Sequence, residues 1–259
     1  MPAVRRAEHR LVFDHPDCGR VVECGSCGLR YTRSRRLSSW PDIRREQPIP
    51  LQDVFLAKQT DQIRDFRAIL RTLGELGATG PLLDIGALTG HFLAEARTAG
   101  FDTVGIEPDP WAARYARDEF GLDVREELLP DAELAPGSFG VVSMLHVMEH
   151  LLQPFETLAA VHEVLRRRDL RGRDPHRRRP RDPARGPARR HYVFDHTLFL
   201  TRDTARRFLE EAGFRIVHQQ ATGRTCDWDA SPRAWPYGLR GSARRSPAPS
   251  TACGWTRST

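Results

Sequence analysis

Between Val54 and Val217, short runs of consecutive apolar residues alternate with segments whose apolar residues are three or four positions apart. Short apolar runs predict buried strands at residues 82–85, 103–107 and 141–145, with a shorter strand at 123–126. Apolar residues three or four positions apart predict a helix that begins at Thr60, followed by helices at 91–99, 110–120 and 154–167. Strands that alternate with helices form a parallel sheet covered by helices on both faces. The pattern therefore predicts an α/β fold with a doubly wound, mostly parallel sheet.

The alternation stops after Leu165. Residues 168–190 are rich in Arg and Pro, and Leu170 is their only large aliphatic residue. Because proline cannot donate to a strand ladder, we predict that one central strand is disrupted and that this segment is disordered. A helix is predicted from Thr201 to Gly213 and a strand at 214–217, whereas residues 220–259 are aperiodic and predicted to be disordered.

Arg, Pro, Gly and Ala, which dominate residues 168–190, are what GC-rich codons yield in a wrong reading frame. One hypothesis is that this segment and the tail after Gln219 are translated out of frame. A natural Arg-rich insertion is the alternative. An apolar strand encoded in another frame of the gene would distinguish the two.

A glycine-spaced turn links the first predicted strand to the next helix. Asp84 ends the strand, and Gly86 and Gly90 lie in the turn, where glycine adopts positive φ without steric cost. We expect the backbone N–H groups of this loop to face outward, toward a ligand. Glu107 ends the second strand, where an acid accepts hydrogen bonds from ribose hydroxyls in dinucleotide folds. These features predict a nucleotide-sized site.

These segments resemble the class I S-adenosylmethionine-dependent methyltransferases, in the branch of ubiquinone-type and sugar methyltransferases. The first two cofactor motifs of this family resemble the patterns Asp84-x-Gly86-x-x-x-Gly90 and Gly105-Ile-Glu-Pro108. Residues 138–151 resemble the fourth strand of the family and the segment that follows it. The resemblance implies a Rossmann-like domain at residues 60–219. It also implies S-adenosylmethionine as the cofactor and methyl transfer to an O, N or C atom of a small-molecule acceptor.

The resemblance also implies which residues bind the cofactor. Glu107 is expected to hold the ribose hydroxyls, and the helix that begins at His91 to favour the methionine carboxylate. For the adenine, Asp131 is slightly favoured over Glu127. The predicted cofactor-binding set is Asp84, Gly86, Ala87, Gly90, Glu107, Pro108, Asp131 and His146. Two positions depart from the family pattern, because Ala87 replaces the common Cys or Gly and Gly140 replaces an acid.

His146 and His150 are the candidate catalytic residues, since both follow the fourth strand at the carboxyl edge of the sheet. A histidine there could take a proton from the acceptor, or it could hydrogen-bond the loop or pack over the cofactor. The letters His-x-x-Glu-His also spell a zinc-peptidase pattern, which requires two histidines one helical turn apart and a third ligand elsewhere. Because the segment leaves a strand and Pro154 soon follows, the peptidase is not favoured.

Residues 1–50 form a leader rich in Cys and Arg with little periodicity. Its Cys24-x-x-Cys27 pair resembles the second knuckle of a zinc ribbon that often precedes this methyltransferase branch. A structural zinc site needs two such pairs, or histidine substitutes. His15 and Cys18 have a similar spacing, but Cys18 is too close to Cys24 in sequence, so we interpret the leader as a degenerate ribbon. No metal is predicted anywhere in the chain.

Composition excludes several other classes. No run approaches the roughly 18 apolar residues of a membrane span. The N-terminus lacks an apolar signal core and five cysteines are an odd number, so we expect a cytoplasmic protein without a disulfide framework. The net charge of +6 is concentrated in arginines 166–190, which have no interleaved aromatic residues, so nucleic-acid binding is not favoured.

Two alternative functions stay open at this point. One is an NAD(P)-dependent oxidoreductase, although Leu88 occupies the place of the second glycine of its fingerprint. The other is a non-enzymatic Arg-rich nucleic-acid-binding protein, whose binding would depend strongly on salt. The oligomeric state is not predicted.

Overall fold

The computed structural model describes residues 8–15, 19–32, 51–165 and 196–218. The segment 168–190, with the strand predicted to be disrupted there, lies outside the described residues. So do Cys18 and the tail at 220–259.

A four-stranded parallel sheet forms the centre of the molecule. Its strands are β4 (Leu82–Ile85), β5 (Thr103–Ile106), β6 (Asp123–Arg125) and β7 (Val141–Ser143), in the order β6-β5-β4-β7. The chain steps from β4 outward to β6 and then crosses to the other side of β4 to form β7. Such a reversal leaves a crevice at the carboxyl ends of the two strands that flank it. Asp84 and Ser143 lie opposite each other at that edge.

Five α-helices are present in the part of the chain that the structure describes. They are α1 (Leu51–Glu75), α2 (His91–Thr98), α3 (Pro110–Phe120), α4 (Pro154–Val164) and α5 (Arg202–Glu211). Local signals fix their ends, as at α3, where the Asp109 side chain accepts a hydrogen bond from the Ala112 N–H at 3.0 Å and Pro110 takes the first position. Thr201 and Thr204 form a capping box at the start of α5.

The hydrophobic core has one layer on each face of this sheet. Leu82 packs into a cluster with residues of α1, α2 and α3, such as Phe66, Leu93 and Ala116. Its neighbour Leu83 faces the opposite cluster, which includes Val161 of α4 and Phe139. Successive strand residues point to opposite faces, so a strand buried on both sides requires apolar residues without alternation. This architecture confirms the predicted α/β, Rossmann-like fold.

Gly140, where the sequence departs from the family pattern, lies where two backbone segments come very close. A Cβ atom added there would overlap the carbonyl oxygen of Thr79. The Gly140 N–H donates to the carbonyl oxygen of Pro81 at 2.9 Å, which holds the start of β7 against the start of β4. An acidic side chain could not occupy this position without moving the backbone.

A second sheet is antiparallel and has the order β1-β2-β3-β8. Its strands are β1 (His9–His15), β2 (Gly19–Cys24), β3 (Arg30–Thr32) and β8 (Leu198–Phe199). The first three of these strands lie in the leader, where the sequence shows little periodicity. The β1–β2 register shifts between Leu11 and Phe13, and such an irregularity breaks the two-residue alternation by which a strand is recognised.

Two predictions of secondary structure were wrong. Thr60 does not begin a helix, because α1 already starts at Leu51, directly after Pro50, and no glycine or proline interrupts it before Thr60. Residues 214–217 do not form a strand, since Val217 is 57% exposed and Phe214 instead packs its ring against His162 at 4.8 Å. Among the helices described, none has the length and apolar character to cross a membrane.

Candidate functional site

The loop between β4 and α2 is tied to the end of β5. The N–H groups of Gly86 and Ala87 both donate to the carbonyl oxygen of Ile106, at 2.8 and 3.1 Å. The Leu88 N–H donates to Glu107 Oε2 at 2.8 Å, and the Gly90 N–H donates to the Ala87 carbonyl at 2.9 Å. The expectation that the loop amides face outward was therefore wrong for these four groups. Three of them donate to Ile106 and Glu107 at the end of β5, and the Gly90 N–H donates within the loop.

Gly86 and Gly90 are required for close packing as well as for the turn. Both have positive φ, 74° and 80°. A Cβ on Gly86 would lie 2.5 Å from Cγ2 of Val147, and a Cβ on Gly90 would lie 2.7 Å from Cβ of Ala116. The first glycine lets the chain after β7 approach the loop, and the second lets α2 approach α3. Their roles in cofactor binding stay predictions.

Glu107 lies at the end of β5, with its carboxylate turned toward the loop. The side chain is 4% exposed, and its second oxygen, Oε1, accepts a hydrogen bond from the Asp109 N–H at 2.8 Å. Pro108, between these residues, is half-buried. The acid is thus fixed in orientation beside the crevice.

Asp84 is buried at the end of β4, with 2% of its surface exposed. Burial raises the pKa of Asp84 to about 7, and the charge of Glu107 adds to this effect, while the Ser143 hydroxyl opposes it by donating to Oδ1 at 2.6 Å. Two acids, Asp84 and Glu107, therefore flank the loop at the point where the strand order reverses.

His146 is held in an unusual backbone conformation just after β7. Its φ is 57°, which is rare for a residue other than glycine, and such strain is often found at functional sites. Its Nε2 lies 3.3 Å from Nε2 of Gln62 on α1, and its Nδ1 lies 3.7 Å from Oε1 of Glu149. The segment Met148–His150 is a 3₁₀ turn, so His146 and His150 do not share an α-helical turn as the peptidase motif requires.

Glu149, His150 and His196 form a cluster at the junction of the two sheets. One ligand-type atom of each lies within 4.8 Å of the others, and the rings of the two histidines meet edge to face at 4.8 Å. Burial raises the pKa of Glu149, but the nearby imidazole of His146, backbone hydrogen bonding and the charges of His150 and His196 outweigh it and lower the pKa to about 2. The carboxylate is therefore charged at neutral pH.

Thr197 positions this cluster through the backbone. Its N–H donates to the carbonyl oxygen of Glu149 at 2.7 Å, and its hydroxyl lies 3.0 Å from the same oxygen and 2.8 Å from the carbonyl oxygen of Leu151. Sequence reasoning did not assign Glu149 or His196 to the site. Glu149 stands within the His-x-x-Glu-His motif and could have been found there, whereas nothing in the sequence around His196 indicates a ligand.

The remaining predicted site residues lie around the same edge. Ala87 is buried in the loop, with 3% of its surface exposed. Asp131 is exposed in the 3₁₀ turn Leu129–Asp131, and Glu127 is partly exposed; both follow β6. Asp131 as the adenine ligand stays a prediction.

Cys24 and Cys27 flank the tight turn between β2 and β3. The Cys24 N–H donates to Leu29 O and the Gly28 N–H to Cys24 O, both at 2.9 Å, and Cys24 Sγ lies 3.0 Å from the Ser26 hydroxyl. Among the described residues, the group of three possible metal ligands is the Glu149 cluster, and it includes neither cysteine.

Comparison with known proteins gives one family match. A family model described as a methyltransferase domain matches residues 56–219. No curated protein matches the chain.

Several solved structures are similar over part of the chain. A SAM-dependent methyltransferase from Archaeoglobus fulgidus is 21% identical, with a TM-score of 0.38 over 44% of this chain and 53% of that one. DesVI from Streptomyces venezuelae is also 21% identical, with a TM-score of 0.39 over 46% and 54%. A SAM-dependent methyltransferase from Thermotoga maritima is 23% identical, with a TM-score of 0.33 over 43% and 54%. The chain thus matches about half the length of each of these structures.

Proposed function

Because the chain belongs to the family of methyltransferase domains, we propose that it transfers a methyl group from S-adenosylmethionine to an O, N or C atom of a small-molecule acceptor. The observation that carries this proposal is the placement of two buried acids, Asp84 and Glu107, on either side of the loop at the reversal of strand order. Open α/β sheets bind their ligands at such a point.

The residues at this edge fit the chemical groups of that cofactor. S-adenosylmethionine, when bound, supplies a methyl group on a positively charged sulfur atom. Glu107 is oriented by the N–H groups of Leu88 and Asp109 at the end of β5, where a carboxylate would accept hydrogen bonds from ribose hydroxyls. Asp84 would accept a hydrogen bond from the amino group of a bound methionine, and the N-terminus of α2 would favour the carboxylate of that methionine.

His146 and His150 are proposed to act on the acceptor. Both follow β7, whose last residue Ser143 pairs with Asp84, and Val147 between them contacts the loop at Gly86. A neutral imidazole can accept a proton from a hydroxyl, an amine or an acidic carbon. Since the methyl donor is already activated, the main task of these residues is to hold the acceptor in line, which can contribute several kcal/mol.

Calorimetric titration of the full chain with S-adenosylhomocysteine and, separately, with NADH tests this proposal. We expect the first ligand to bind and the second not to bind. Glu107→Gln should weaken binding of S-adenosylhomocysteine by about 10- to 100-fold, since it replaces hydrogen bonds to a charged acceptor. Glu119→Gln, at an exposed acid of α3, is the matched control and should bind normally. Binding of NADH alone would refute the proposal.

A further inference from the structure

The cluster of Glu149, His150 and His196 has the composition of a metal centre. Two imidazoles and one carboxylate are a ligand set that Zn²⁺ and related first-row ions accept in catalytic sites, where further positions stay open for water or substrate. The sequence analysis predicts no metal, because His196 is separated from the other two by the whole of α4 and the segment after it. The fold brings the three together.

The ligand atoms are close enough for one ion to bridge them. They lie within 4.8 Å of one another, whereas an ion with bonds of about 2.1 Å holds its ligands at most about 4.2 Å apart. Rotation of the side chains closes this difference, since His150 and Glu149 are only half-buried. The backbone is already fixed, because Thr197, the residue after His196, binds the carbonyl oxygens of Glu149 and Leu151.

The surroundings of the cluster also suit a cation. His146 Nδ1 lies 3.7 Å from Oε1 of Glu149, in the place of an outer partner that orients a ligating carboxylate. The rings of His150 and His196 meet edge to face, with their centroids 4.8 Å apart. Two members of the cluster, Glu149 and His150, lie in the 3₁₀ turn after β7, next to His146.

We propose that Glu149, His150 and His196 bind one divalent first-row transition metal ion, which holds an oxygen of the methyl acceptor. The role of the ion toward the acceptor rests on the proposed function. It implies an acceptor with a hydroxyl group, because such an ion binds a hydroxyl oxygen and lowers the pKa of that hydroxyl. His150 is then a ligand, and His146 is the residue left to take the proton.

Titration of the untagged, chelator-treated full chain with Co²⁺ tests the metal site without requiring activity. We expect one ion to bind, with ligand-field absorption and without thiolate-to-cobalt charge transfer. His196→Ala and Glu149→Gln should each weaken binding at least about 100-fold, because loss of an outer partner alone costs about 10- to 100-fold. His218→Ala, at an exposed histidine outside the cluster, is the matched control and should bind normally.

Three outcomes would overturn the proposal. They are no binding to the wild-type chain, unchanged binding in His196→Ala, and binding that shows thiolate charge transfer and is lost in Cys24→Ser. Far-UV circular dichroism and titration with S-adenosylhomocysteine show whether His196→Ala is folded, and His196→Gln provides a second variant of similar size. Because Co²⁺ and S-adenosylhomocysteine are titrated separately, failure of the metal site and failure of the methyltransferase proposal give different results.

Discussion

The buried carboxyl group of Asp84 makes the stability of the protein depend on pH in a way that one substitution should remove. Its pKa is raised in the folded state from an ordinary value of 3.8 to about 7. A raised folded-state pKa stabilises the protein fully below pH 3.8, and this contribution is lost as the pH rises through 7. One pKa unit corresponds to about 1.4 kcal/mol, so the lost contribution is about 4 kcal/mol.

Asp84→Asn keeps a carbonyl acceptor for Ser143 and is neutral at every pH. The substitution also buries an amide group, which changes the unfolding free energy by an amount that does not depend on pH. The difference in unfolding free energy between wild type and Asp84→Asn should therefore shift by about 4 kcal/mol in favour of the variant between about pH 4 and pH 8.

Urea unfolding followed by circular dichroism across this pH range measures the shift. Asp102→Asn, at an exposed acid on the loop before β5, is the control, because its carboxylate stays in water in both states. A difference between wild type and Asp84→Asn that stays constant within about 1 kcal/mol would refute the reasoning about burial.

Three further substitutions test the packing described above. Gly140→Ala should destabilise the fold by about 1–3 kcal/mol in urea unfolding, because its Cβ would overlap the Thr79 carbonyl; unchanged stability would contradict the close approach. Leu93→Ala removes a fully buried side chain of α2 and should lower the unfolding free energy by about 2–5 kcal/mol, and a loss below 1 kcal/mol would show that the site is not packed. Thr197→Val leaves the carbonyls of Glu149 and Leu151 without their side-chain donor and should cost about 1–3 kcal/mol, measured in the same way. Equal stability of Thr197→Val and wild type would mean that the backbone N–H alone holds the junction.

The parallel sheet could be predicted because its strands are buried on both faces. The run Leu82–Ile85 lacks the alternation of apolar and polar residues that marks a strand with one exposed face. The ends of α3 could also be predicted, because Asp109, Pro110 and Gly121 are residues that cap helices. The methyltransferase family and the Rossmann-like fold predicted from these segments are confirmed, and S-adenosylmethionine is the cofactor that this family implies.

The antiparallel sheet could not be predicted because its signals are weak or distant. The shift between Leu11 and Phe13 breaks the alternation of β1, and β8 has only two residues, whose partners in β3 lie near the other end of the described chain. Pairings at such separation have no local sequence signal.

Part of the site could be predicted, because some of its residues end strands of the parallel sheet. Asp84 and Glu107 end strands whose order follows from the fold, so their proximity to the loop could be expected, and the Leu88–Glu107 hydrogen bond agrees with it. The direction of the loop amides could not be predicted, because it depends on the position of the Ile106 carbonyl in three dimensions. His196 joins the site through the hydrogen bonds of Thr197 to the carbonyls of Glu149 and Leu151 and through the pairing of β8 with β3.

That pairing has a consequence for synthesis of the protein. The strands β1, β2 and β3 are neighbours in sequence and can assemble as soon as they leave the ribosome, but the outer side of β3 stays open until Leu198 and Phe199 emerge. An unpaired strand edge is a template for contact with other chains. For most of its translation the nascent polypeptide therefore carries an exposed edge, and we expect its yield to depend on chaperones that cover such edges during this interval.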